Sequence, residues 1–146
     1  MNNNKALFLD RDGTIIEDCD GALKEENIIF KRDLREFLLK ALERRFIIIM
    51  VTNQTAVSRG LTSYSNMKKT NDLLLNKIDC LVGSKVFRKV FICPYHPDAQ
   101  IKRFKKDSYY RKPKPGMLIK AKEKLNLDLK KSIFVGDRVS DIVAGN

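Results

Sequence analysis

Four apolar residues in succession, Ala6 to Leu9, run directly into Asp10-Arg11-Asp12-Gly13-Thr14 near the start of the chain. An apolar run without alternation reads as a strand buried on both faces, because a strand with one wet face would alternate. Carboxylates at the end of such a strand have no packing rationale, since burying even one unpaired is costly. Two readings compete. The pair belongs to a polar turn, as Asp-Gly commonly does, or it holds a divalent cation at the carboxyl end of a parallel sheet, where open α/β folds place their ligands.

The rest of the chain repeats the pattern. Phe46 to Val51, Val90 to Ile92 and Ile133 to Val135 are further apolar runs, each following a helical pattern. Asp33 with Glu36 three residues later predicts a helix start, with Leu34, Phe37, Leu38, Ala41 and Leu42 on one face. Thr62 or Ser63 is expected to cap a second helix burying Met67, Leu74, Ile78 and Leu81, closed by Gly83. Pro115-Gly116 opens a third, and the residues from Ser140 begin another. Residues 15 to 30 read as a loop over the end of the first strand. Strand-helix alternation predicts an α/β fold, a parallel sheet with helices on both faces, and residues 1–146 are expected to form one domain. Strands pointing one way bring Asp10-Arg11-Asp12, Thr52-Asn53, Cys93 to His96 and Gly136-Asp137 to one crevice. That convergence favours a site over a turn.

Asp10, Asp12 and Asp137 supply the hard oxygen ligands that Mg²⁺ takes. Thr52 offers a hydroxyl and Asn53 an amide to phosphoryl oxygens, and Arg111 and Lys112 neutralise charge on the same group. Attacking carboxylate, cation, anion-binding turn and lysine together suit phosphoryl transfer, in which like charges must be brought together.

The formal charge of +11 is concentrated. Residues 102–131 hold twelve Lys or Arg against three acids, nine of the eleven net charges. Such a patch suits a small anionic substrate or a nucleic-acid backbone, or is a solvated helix face. Only Phe104, Tyr109 and Tyr110 interleave aromatics with it, so nucleic acid is the weaker partner. No apolar run reaches transmembrane length, and the N-terminus has no apolar signal stretch. Cys19, Cys80 and Cys93 form no disulfide framework, which fits a cytoplasmic chain, a monomer or weak homo-oligomer.

These residues resemble the haloacid-dehalogenase superfamily of phosphatases. Asp10 to Thr14 matches its first motif, Thr52 the second, Lys112 the third, and Gly136-Asp137 with Asp141 the fourth. Val51-Thr52-Asn53-Gln54 followed by Arg59-Gly60, and Arg111-Lys112-Pro113-Lys114-Pro115-Gly116-Met117, are similar to the branch holding heptose bisphosphate and histidinol-phosphate phosphatases. The resemblance implies a three-layer Rossmann-like sheet without a large cap domain. It implies Mg²⁺ held by Asp10, Asp137 and the Asp12 carbonyl, Asp10 as nucleophile forming an aspartyl-phosphate, and Asp12 as proton carrier. Thr52 and Lys112 then grip the phosphoryl group, while Asn53, Arg59 and Arg111 address substrate. Asp141 is an outer partner of the metal or a first-turn helix acid. The expected substrate is a heptose 1,7-bisphosphate attacked at C7. Histidinol phosphate, a nucleic-acid end-processing or binding role, and a degenerate non-catalytic homologue are the alternatives.

Three departures from the branch stand out. Its zinc-binding loop keeps only Cys93 here. Tyr95, Ser108 and Tyr110 occupy the other ligand positions, and His96 lies one residue aside, so zinc is expected to be absent. Residues 98–110 are then expected to be mobile unless Phe104, Tyr109 or Tyr110 pins them. Ala56 and Ser58 replace the branch's usual glycine and alanine without removing a catalytic group. Finally, the branch continues into a fifth strand. Without it the fourth is expected to be an uncovered edge, through truncation or for a partner to cover.

Overall fold

The computed structural model describes residues 4–19 and 21–146; Asp20, within the loop expected after the first strand, lies outside the described residues, as do residues 1–3. Four parallel strands, β1 (Ala6–Leu9), β2 (Ile47–Asn53), β3 (Phe87–Cys93) and β4 (Ile133–Val135), form one sheet in the order β3-β2-β1-β4. β1 lies centrally, with Phe8 paired to Ile49 on one side and Phe134 on the other. Strand periodicity sends Leu7 and Leu9 to one face and Ala6 and Phe8 to the opposite one. The first pair packs with Ile48, Met50, Leu38 and Ile78, the second with Ile49, Val51, Met117 and Ala121. Helices α1 (Leu34–Glu43) and α3 (Tyr64–Val82) therefore cover one face, and α4 (Gly116–Leu125) the other. Two short helices, α2 (Thr55–Ser58) and α5 (Val139–Gly145), follow the ends of β2 and β4.

Local signals act as expected at α3. Ser63 Oγ accepts from the Asn66 N–H at 3.0 Å, and Gly83 closes the helix at φ +86°, where a side chain would be strained. Elsewhere the structure corrects the reading. Helix α1 does begin directly after Asp33, as expected, but Asp33 makes no capping hydrogen bond, and Glu36 pairs with Lys40 at 2.8 Å. Phe37, expected in the core, is 41% exposed on the rim of a cavity beside Leu34 and Val135. Val82 is buried where Leu81 was expected. β2 continues through polar Thr52 and Asn53, which pair with Ile92 and Cys93. β3 begins three residues early, at Phe87, because exposed Arg88 and Lys89 interrupt its apolar run. Charges there are in keeping with a strand at the sheet edge. At the other edge β4 pairs with β1, and Ile133, Val139, Ile142 and Val143 are exposed.

Residues 94–110 are held at a few buried points, among them Ala99, Phe104 and Ser108, while most of their other side chains are exposed. Phe104 is buried against Tyr95 and Tyr64, with ring centroids 6.1 and 6.4 Å away, and joins Val57, Met67 and Ala99 in a small cluster. Burying such a side chain contributes about 1.5–3 kcal/mol. The Ser58 carbonyl accepts the N–H groups of Gln100 and Ile101, both at 3.0 Å, tying the loop to α2. Tyr109 and Tyr110 are exposed, so Phe104 is the anchor among the three aromatics considered.

Candidate active site

The turn after β1 is shaped by what its glycine lacks. Gly13 adopts φ +77°, and a Cβ there would overlap the Asp137 carboxylate. At the end of β4, a Cβ on Gly136 would overlap the Asp141 carboxylate in the same way. Two missing side chains thus admit two acids beside Asp10. Carboxylate oxygens of Asp10, Asp137 and Asp141 all lie within 4.8 Å of one another, a donor set and spacing that fit a divalent cation.

Buried Lys112 organises this group. Its Nζ lies 2.9 Å from Asp10 Oδ1 and 2.5 Å from Asp141 Oδ1, and donates to the Val51 carbonyl at 3.2 Å. An ammonium has three donors, and all three are placed. Asp141 also accepts the Arg138 N–H at 3.1 Å, so it is both a member of the cluster and the first-turn acid of α5. The lysine is set by Asn53 at the end of β2. Asn53 Oδ1 accepts the Lys112 N–H, and its Nδ2 donates to the Lys112 carbonyl, each at 3.1 Å. An aspartate would lose the donor and set a carboxylate against that carbonyl. Asn53→Asp is expected to cost about 1–3 kcal/mol in chemical denaturation and to lower kcat through a displaced Lys112.

Burial pushes the Asp10 carboxyl up to about 6; Lys112 opposes the shift and Asp141 adds to it. The group therefore binds more protons folded than unfolded between its ordinary value of 3.8 and about 6. Its contribution to stability accordingly falls as pH rises through that window, by about 3 kcal/mol in metal-free protein. Mg²⁺ selects the ionised carboxylate. It is expected to raise the melting temperature more at pH 7 than at pH 5, as thermal unfolding with Mg²⁺ or EDTA will read.

Not every candidate meets the cluster. The carboxylate of Asp12, the expected proton carrier, is turned to Arg11, whose Nε and Nη2 donate to Oδ1 and Oδ2, each at 3.0 Å. Asp141 joins Asp10 and Asp137 in the acidic cluster. Thr52 is fully buried, its hydroxyl accepting from Gln54 Nε2 at 2.7 Å. A cavity of about 420 Å³ opens beside the cluster, walled by Asp10, Asp12, Asn53, Arg59, Arg111 and Lys112. Thr52, Asp137 and Asp141 are not part of its wall.

Three further residues, Arg11, Asn71 and Arg138, were given no role of their own by the sequence. Arg11 Nη1 donates to Asn71 Oδ1 at 2.8 Å, so a buried helix residue sixty positions away holds the fork that holds Asp12. The available signals were an arginine between two aspartates and an asparagine on the apolar face of α3. Arg138, also on the cavity wall, pairs with Asp18 at 2.9 Å and links the loop after β1 to α5.

Comparison with known proteins agrees with this geometry. A family described as "Polynucleotide kinase 3 phosphatase" matches residues 5–145. The D-glycero-alpha-D-manno-heptose-1,7-bisphosphate 7-phosphatase of Burkholderia mallei is 37% identical over 143 residues, 98% of this chain and 75% of that protein. Among solved structures, a protein described as a HAD-like phosphatase from Mesorhizobium loti superposes with a TM-score of 0.86 at 35% identity, covering 97% of this chain and 67% of that one. The D,D-heptose 1,7-bisphosphate phosphatase of B. bronchiseptica, solved with magnesium and phosphate, superposes with a TM-score of 0.82 at 25% identity, covering 96% and 74%.

Proposed function

The chain belongs to the haloacid-dehalogenase superfamily of phosphatases, within the family described as polynucleotide kinase 3 phosphatase, and from that premise we propose that it removes the C7 phosphate of D-glycero-D-manno-heptose 1,7-bisphosphate. The observation that carries this reading is Asp10, at the cavity wall, 2.9 Å from the Lys112 ammonium within a three-carboxylate cluster.

In this reading an Asp10 oxygen bonds to phosphorus as the bond to the sugar oxygen breaks, and Asp12 gives that oxygen a proton. Asp12 then takes a proton from the water that hydrolyses the aspartyl-phosphate, releasing phosphate and restoring both acids. Both Asp12 oxygens accept from Arg11, so one must leave that fork for the proton to move. Lys112 is placed to neutralise the phosphoryl oxygens. Arg111, Arg59 and Asn53 face the substrate from the cavity wall, and Thr52 reaches the phosphoryl group only by turning its O–H away from the Asn53 carbonyl, to which it now donates. Asp10, Asp137 and the Asp12 carbonyl would hold Mg²⁺, with Asp141 as a further carboxylate of the cluster, and the cation would supply positive charge that relieves carboxylate–phosphate repulsion.

The basic window 102–131 suits a substrate with two phosphates better than histidinol phosphate, which carries an amine. A second reading, removal of a terminal phosphate from a polynucleotide, is favoured by the family description. The basic window 102–131 can track a nucleic-acid backbone as well. Phosphate release from both anomers of the heptose bisphosphate, from histidinol phosphate and from a 3′-phosphorylated oligonucleotide, with Mg²⁺ and with EDTA, decides among them. The proposal expects the bisphosphate to be fastest and EDTA to stop it. Faster turnover of either other substrate would replace it, and no turnover at all would leave a non-catalytic homologue.

A further inference from the structure

Asn71 is an amide where packing alone would place an apolar side chain. It lies on the buried face of α3 between Met67 and Leu74 and is 2% exposed. Burying an amide is costly unless its polar atoms are bonded, and both ends of this one are. Its Nδ2 donates to Met67 Sδ at 3.0 Å, and its Oδ1 accepts from Arg11 Nη1 at 2.8 Å. A guanidinium only donates, so the amide can meet it with nothing but its oxygen. Met67 in turn packs with Val57, Ala99 and Phe104, which braces the amide against the anchor of the loop after β3. Arg11 is buried, and its remaining edge carries the two bonds to Asp12. Asp12 is the most exposed of the three, its side chain at 19%, and it stands on the wall of the active-site cavity.

We infer that Asn71 is a positioning residue for proton transfer: it anchors Arg11 so that Asp12 pivots on a stationary guanidinium between the fork and the leaving oxygen. The inference rests on the aspartyl-phosphate reading above. A two-bond fork fixes the plane of a carboxylate as well as its distance. Proton transfer needs an Asp12 oxygen within hydrogen-bond reach of the leaving oxygen. One oxygen therefore leaves the fork while the other stays on it, and the bond that remains aims the oxygen that is free. In that step the electron pair of the breaking O–P bond stays on the sugar oxygen, which takes the Asp12 proton, and an Asp10 oxygen forms the new bond to phosphorus. An arginine tied at Nη1 does not follow the moving carboxylate. Without the tie, the guanidinium and the carboxylate move together and the aim is lost.

Two esters separate this role from a structural one. The sugar oxygen of heptose 1,7-bisphosphate needs a proton to leave, whereas the phenolate of p-nitrophenyl phosphate leaves without one. The value of kcat/KM covers binding and transfer to Asp10, ahead of hydrolysis of the intermediate. Asn71→Leu is expected to lower the ratio of kcat/KM for the sugar ester to that for the phenyl ester about tenfold. Asn71→Asp keeps an oxygen opposite Arg11 Nη1 and is expected to retain the ratio. Arg11→Lys, whose ammonium cannot form the fork, is expected to lower it, and adding Asn71→Leu to that variant to lower it no further. An unchanged ratio in Asn71→Leu, a ratio lost equally in Asn71→Asp, or a further fall in the double variant would overturn the inference. If Asn71→Leu does not fold, Arg11→Lys decides alone, and an unchanged ratio there overturns it. If wild type does not hydrolyse the heptose bisphosphate, the proposed substrate falls, and the same ratio taken with glycerol phosphate still decides the role of Asn71. Wild type that hydrolyses none of these esters overturns both.

Discussion

Asp10→Asn abolishes phosphate release, with kcat lower by about 10⁴-fold or more, and leaves the metal-free protein as stable as wild type or more so. The two outcomes follow from one fact. Burial raises the Asp10 carboxyl, meaning that its charge is unfavourable in the folded chain without a cation beside it. A neutral amide of the same shape removes that penalty and the repulsion from Asp141, while Lys112 keeps Asp141 and the Val51 carbonyl as partners. The same amide is a poor nucleophile, so covalent transfer has no starting point. Thermal unfolding in EDTA at pH 7, run beside the phosphate assay, separates this result from a folding defect. Loss of activity with a lower melting temperature in EDTA would count against it. The stabilisation that Mg²⁺ gives wild type is expected to shrink as well, since the cluster loses a charged ligand.

Lys112→Met has the opposite signature. The side chain is 4% exposed as a residue and sits between two acids, so its loss leaves Asp10 and Asp141 buried and facing each other. Removing one partner of a buried ion group costs about 3–5 kcal/mol, and activity is expected to fall to background. Two conditions should return part of the stability: Mg²⁺, which replaces the missing positive charge, and a pH below 6, where Asp10 takes up a proton. Urea denaturation at pH 7 and pH 5, each with Mg²⁺ and with EDTA, reads all four combinations. A loss of stability unchanged by both treatments would mean that packing, not charge, is what Lys112 supplies.

The sheet was legible because each of its strands carries an apolar run, and the site because polar residues gather at the ends of those runs. Local periodicity serves less well where the chain meets something distant. Thr52 and Asn53 look like a loop by composition, yet they extend β2 because β3 lies alongside to pair with them. Phe37 has the right spacing for the core, but it falls on the side of α1 that reaches the open sheet edge. Nothing in the local sequence shows that the Asp12 carboxylate is held by Arg11, and Arg11 by Asn71 on a helix sixty residues on. Such long-range polar bonds leave no periodic trace. Phe104 was one of three candidate anchors, and only the positions of Tyr64 and Tyr95 separate it from Tyr109 and Tyr110.

The double bond between Asn53 and the backbone of Lys112 bears on how such a protein can diversify. A single amide closes the circuit from the end of β2, past β3 and its following loop, back to the lysine, and it does so without drawing on anything between residues 94 and 110. Side chains of the intervening segment can be exchanged while this double bond stays in place, even though the segment also touches the lysine's neighbours, the Arg111 N–H donating to the Ser108 carbonyl at 3.1 Å. Change in substrate choice is to that extent separated from the chemistry it serves. A chimera carrying a relative's loop between Pro94 and Tyr110 is expected to take on new preferences while keeping the Asn53–Lys112 bonds.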